Sequence, residues 1–125
     1  MIKTNTKDIS NIAKEMIKIK NVEAVYLFGS QATGKAGKLS DIDLCIVGKL
    51  NNEEKLKILS YSSDNLDISF LEELPLLIKI RVFREGKELA SKKNIDETKI
   101  KVLREYLDFK KIINRYCEEI LKCTI

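Results

Sequence analysis

Apolar positions recur along this chain at two periods, and each period predicts a different element. Ile9, Ile12, Ala13, Met16 and Ile19 fall at three- and four-residue spacing, so residues 7–20 read as an amphipathic helix. Asp8 sits where a negative charge favours its start. Val22 to Phe28 is rich in β-branched and aromatic residues and predicts a strand; Asp41 to Val47 predicts a second, ended by Gly48. The loop between them, Gly29 to Ser40, has three glycines and no proline, and its Gln31 to Lys35 portion can open a short helix. Asn51 or Asn52 caps a helix reaching about Tyr61. From Asn65 to Phe70 the pattern alternates again, with Leu66, Ile68 and Phe70 on one face and Asp67 and Ser69 on the other.

Leu74 to Arg84 returns to helical spacing, with Pro75 in the first turn and Gly86 just past the end. Leu74, Leu77, Ile78 and Val82 cluster toward one face, and Gly86 to Ala90 forms a short turn or strand. From Asp96 to about Lys122 nothing breaks a helix. Val102, Tyr106, Phe109, Ile113, Tyr116 and Ile120 alternate by four and three, and Leu103, Leu107, Cys117 and Leu121 widen the stripe. A helix of ~26 residues spans ~39 Å, more than the diameter expected of so small a domain. Part of its apolar face therefore seeks a partner, a second copy or another chain. Strands interleaved with helices predict an α/β (α+β) fold: a small mixed sheet with helices packed on it and a long C-terminal helix. The 125 residues suffice for one domain, with 91–125 as its helical end.

Two carboxylates at the mouth of the second strand change this from a fold to a site. Strand side chains alternate, so Asp41 and Asp43 project to one face while Ile42, Leu44 and Ile46 point to the other. Two like charges side by side, with no basic residue between them, repel unless a cation neutralises both; hard oxygen ligands suit magnesium. Upstream, Gly29-Ser30 closes a tight turn in which accessible backbone amides and a hydroxyl can hold phosphate oxygens. Asp67 is a third acidic group in mid-strand, and an aspartate in an apolar strand calls for compensation or for an edge strand with the carboxylate in water.

Composition narrows the chemistry. With no histidine and three cysteines, none in a Cys-x-x-Cys pair, zinc sites and histidine general bases are excluded, and the cysteines read as reduced thiols in the cytoplasm. No apolar run approaches the ~20 residues of a membrane span, and the N-terminus lacks the apolar core of a signal peptide. A net charge of +4 is mild, and Lys and Glu are interspersed, so nucleic acid is not the expected partner.

Gly29-Ser30, ten residues, then Asp41-Ile42-Asp43 at the mouth of an apolar strand resembles the signature of the DNA polymerase β-like nucleotidyltransferase superfamily. Within it the chain resembles the minimal nucleotidyltransferase (MNT, MntA-like) antitoxins encoded beside HEPN-domain proteins. Leu27 to Ser30, Ser40 to Leu44, Leu66-Asp67-Ile68 and the run into Arg84-Glu85-Gly86-Lys87-Glu88-Leu89 carry the likeness. The resemblance implies transfer of AMP from ATP to a hydroxyl, releasing pyrophosphate. It assigns Asp41, Asp43 and Asp67 as catalytic residues and ligands of two Mg2+ ions, and Gly29, Ser30 and Ser40 to the nucleotide. The implied acceptor is a tyrosine on a HEPN toxin. One departure is visible: many members carry Arg where this chain has Gln31 and Thr33, leaving Lys35 and Lys38 as the loop cations. Alternatives are an adenylyltransferase for a small molecule of the aminoglycoside kind, working as a homodimer, and a catalytically silent antitoxin that acts by binding alone.

Overall fold

The computed structural model describes residues 6–29, 42–63, 65–92 and 95–123. Helix α1 (Thr6–Met16) leads into strand β1 (Ala24–Phe28), followed by β2 (Ile42–Val47), α2 (Asn52–Leu59), β3 (Leu66–Phe70), a 3-10 turn (Leu71–Glu73), α3 (Leu76–Glu85), β4 (Lys87–Ser91) and α4 (Ile95–Cys123). The sheet is mixed, in the order β3-β2-β1-β4; β1 runs antiparallel to β2 and β4, while β2 and β3 are parallel. Parallel neighbours need a crossover, and α2 supplies it.

Alternation sorts the strand residues between two apolar layers. Val25, Leu27, Ile42, Leu44, Ile46, Leu66 and Phe70 face α1 and α2, meeting Ile9, Ala13, Met16 and Ile58. Ala24, Tyr26, Cys45 and Val47 face the other way, against Val82 of α3 and Ile95 and Val102 of α4. Helices thus cover both faces of the sheet. Each fully buried large side chain contributes about 1.5–3 kcal/mol, so the two central strands anchor the fold.

Local chemistry sets the element ends. The Asn51 side chain accepts the Glu54 N–H at 2.8 Å and Glu54 accepts the Asn51 N–H at 3.1 Å, a reciprocal cap that starts α2. Glu54 also accepts from the Asn21 side chain at 2.7 Å, tying α2 to the approach to β1; these bonds hold its carboxyl below the usual range. That approach differs from the sequence expectation. The helix ends at Met16 and β1 begins at Ala24, because the chain tightens through Lys18 N–H to Glu15 O and Ile19 N–H to Met16 O while burying Ile19 and Val22. In α3, Val82 is buried as expected, whereas Leu77 is 52% exposed on the outer side. Pro75 caps that helix, and the Gly86 N–H closes it onto Val82 O.

The C-terminal helix runs on past the body it packs on. Its 29 residues span about 43 Å. Ile95 and Val102 are buried and Tyr106 is half-buried, but every residue from Leu107 to Lys122 is exposed. Among the described residues, no helix is long and apolar enough to cross a membrane.

Candidate active site

The parallel pairing of β2 with β3 puts Asp43 in register with Asp67, and the antiparallel pairing with β1 puts Phe28 on the other side of Asp43. Neighbouring strands lie about 4.8 Å apart, so the two carboxylates rise side by side from one face. That face is the one carrying Cys45 and Val47, on the side packed by α3 and α4. Asp43 is half-buried and Asp67 is exposed. β3 is an edge strand, so Asp67 does face water, as the simplest reading of its segment has it. It also stands beside Asp43.

Gly29 completes this group. Its φ of +84° is a left-handed conformation, and a Cβ built on it would lie 2.6 Å from Asp43 Oδ2. Only a residue without a side chain lets the chain turn here with the carboxylate resting against its backbone. The turn at the end of β1 and the acidic start of β2 therefore form one surface. Ser30, Ser40 and Asp41 lie outside the described residues, as do Gln31, Thr33, Lys35 and Lys38 and the short helix expected over residues 31–35. Among the described residues no three acidic or sulfur ligands converge, and Asp43 with Asp67 is the acidic pair at this end.

Beneath this row the floor is neutral. Cys45 is buried, and burial pushes its thiol up to about 12, with a Ser69 hydrogen bond pulling the other way. It is therefore a protonated core residue and neither a nucleophile nor a metal ligand. Ser69 sits beside Cys45 in register and donates to Leu44 O at 3.3 Å. Tyr26 follows on β1, its ring edge-on to Phe83 at 5.4 Å and its hydroxyl donating to Glu88 at 3.1 Å. Burial raises the Tyr26 pKa, with a Lys99 hydrogen bond opposing. The contact of Gly29 with Asp43 is not visible in the residue pattern, but the antiparallel register counted back from the loop gives it, since Phe28 pairs with Asp43.

A cavity of about 370 Å³ lies at the other end of the sheet, lined by Val22, Val47, Gly48, Lys92, Thr98 and others. None of the expected site residues borders it. Its lining mixes Glu23, Glu72 and Glu97 with Lys20, Lys49 and Lys92, and the candidate site is the open surface around Asp43 and Asp67.

The donor set suits a hard divalent cation. Asp43 and Asp67, on one face with one partly shielded and one in solvent, would hold such an ion through anionic oxygens, and it would supply neutralising charge.

Comparison with known proteins identifies the family. The family model described as polymerase beta, nucleotidyltransferase, matches residues 7–95. A protein of Methanocaldococcus jannaschii, provisionally named a protein adenylyltransferase, is 32% identical, and the match covers 80% of this chain and 97% of that one. In fold, the chain resembles one from a crystal structure of a toxin–antitoxin with AMP-PNP, at a TM-score of 0.66 and 22% identity, covering 90% of this chain and 98% of that one. It also resembles a chain of the complex of tri-AMPylated HEPN toxin of Shewanella oneidensis with MNT antitoxin, at a TM-score of 0.60 and 20% identity, covering 92% and 94%. With its family signature spanning all four strands, the chain belongs to the polymerase β nucleotidyltransferases, and it is an enzyme of that class.

Proposed function

We propose that this chain transfers AMP from ATP to a hydroxyl of a protein acceptor, a tyrosine of a HEPN-domain toxin, and so serves as the antitoxin of the pair. The observation that carries the reading is the register of Asp43 with Asp67 beside the Gly29 turn, in a chain sharing 32% identity with a protein named as a protein adenylyltransferase. Solved relatives that hold AMP-PNP or accompany an AMPylated HEPN toxin support the choice of nucleotide and partner.

In the proposed reaction the acceptor oxygen bonds to the α-phosphorus while the bond from that phosphorus to the β-bridging oxygen breaks. Pyrophosphate leaves with the electron pair. Asp43, with Asp41 two residues before it in the sequence, would hold Mg2+, and Asp67 would ligate a second ion from the neighbouring strand. Bound magnesium supplies neutralising charge for the phosphate oxygens. Asp67, being in solvent, is the carboxylate an incoming hydroxyl reaches, and it takes the proton as the new bond forms. By the family resemblance, Gly29 and Ser30 would hold the triphosphate through backbone amides and a hydroxyl, and Ser40 would serve the same nucleotide site. Placement and charge neutralisation carry the rate, since no covalent intermediate is needed.

Intact-mass spectrometry of a HEPN-domain protein that co-purifies with this chain, after incubation with the chain, ATP and Mg2+, tests the proposal. Addition of whole AMP units to tyrosine is the expected result. An unmodified partner, alongside AMP transfer to hydroxylated small molecules, would contradict it.

A further inference from the structure

Phe28 ends β1 on the face that bears the acidic pair. The two registers set one row across the sheet, Asp67 on β3, Asp43 on β2 and Phe28 on β1, with about 4.8 Å from strand to strand. β1 is buried from Ala24 to Leu27, and Phe28 alone of its residues is half-buried. It packs against the layer that contains Tyr26, Cys45 and Val82, which fixes the ring from beneath and leaves its remaining surface open. Its neighbours do not cover that surface. On the side away from Asp43 comes Gly86, one residue before the Lys87 that pairs with Leu27, and a glycine has no side chain to lay over the ring. Gly29, next in the chain, turns left-handed against Asp43 and brings none either.

We infer that Phe28 is the platform on which the base of the nucleotide stacks. The inference rests on the proposed transfer of AMP from ATP, which puts the α-phosphate at Asp43 and the acceptor at Asp67. The acceptor thus comes from the flank of Asp43 opposite to Phe28. Phosphate oxygens do not seek an aromatic face, because the ring quadrupole is negative there. Of acceptor, phosphates and nucleoside, the nucleoside is the part left for this flank, and its base presents the flat π-face that stacks on a ring. A ring held by the core and open on its outer side is ordered before the base arrives, so little is lost in fixing it. Stacking reads the extent of the π-face and not the donors and acceptors on the base edge. Phe28 therefore favours purines over pyrimidines without separating adenine from guanine.

The chain has no tryptophan, so Phe28→Trp gives it a single indole reporter at the platform. With Mg2+ present, ATP and GTP should quench its fluorescence to a similar extent and CTP less. Inorganic tripolyphosphate, which carries the phosphates without a base, should leave it unchanged. Calorimetry on the full chain gives the second reading. Phe28→Leu keeps apolar bulk against the core but loses the ring, so it should bind ATP about tenfold more weakly and tripolyphosphate as the wild type does. Phe28→Tyr should bind both as the wild type does. An indole quenched as much by tripolyphosphate as by ATP, or a leucine variant with unaltered ATP binding, would overturn the inference and make Phe28 only the end of the core. No acceptor enters these measurements. A chain that binds ATP through Phe28 yet leaves a HEPN-domain protein unmodified refutes the proposed acceptor and keeps the platform, whereas a chain that binds no ATP refutes both.

Discussion

Asp43 and Asp67 are register partners on the parallel strands β2 and β3, brought together across the crossover helix α2. One is half-buried against Gly29; the other stands in water on the edge strand. Under the proposed function this asymmetry divides their roles: the shielded carboxylate would be a fixed ligand, and the exposed one the group an acceptor reaches.

Asp67→Asn should therefore separate chemistry from stability. The residue is exposed, so the variant should fold within about 0.5 kcal/mol of wild type. AMP transfer should fall by about 100-fold or more as the proton acceptor and a ligand charge are lost. Binding of Mn2+, a paramagnetic stand-in for Mg2+, should weaken in parallel. Single-turnover transfer with thermal melting checks both, and a variant of full activity would remove Asp67 from the site.

Two glycines at opposite ends of the sheet offer a controlled comparison. Gly29→Ala forces a side chain into a left-handed conformation against Asp43 Oδ2, costing about 1–2 kcal/mol and displacing the carboxylate. Gly48→Ala is strained in the same way, at φ +143°, but its Cβ would run into the Asn21 carbonyl, far from the acidic pair. Both should lower the Tm by several degrees. Only Gly29→Ala should lower transfer per folded molecule.

The protonated Cys45 thiol makes the fold sensitive to alkali. Its folded pKa is about 12, against about 8.5 in an unfolded chain. The stability is fully present below about pH 8.5. Above that, the unfolded chain gives up a proton that the folded chain keeps, so stability falls by about 1.4 kcal/mol per pH unit until about pH 12. The raised Tyr26 hydroxyl acts with the same sign. Urea unfolding at about pH 8 and about pH 10 should show the loss, and Cys45→Ala should flatten the slope while lowering stability at both.

Much of this was legible in the sequence because period and chemistry agreed. The β3 alternation put Asp67 and Ser69 on one face and Leu66, Ile68 and Phe70 on the other, and the structure keeps that division. What the pattern could not give was register: only the parallel pairing sets Asp67 opposite Asp43 rather than a residue further along. Helix ends were also obscure where burial outweighed propensity, as at Ile19 and Val22. The stripe of α4 read identically whether covered or bare, because its fate depends on where the body ends, at Tyr106.

The central claim, that these carboxylates drive AMP transfer, is tested most directly with ATP labelled in its α-phosphate. Wild-type chain, Mg2+ and the HEPN partner should yield labelled partner, while ATP labelled in its γ-phosphate should yield none. Asp41→Asn with Asp43→Asn, folded as wild type by circular dichroism, should abolish the α-label. Equal labelling by the variant and the wild type would contradict the account.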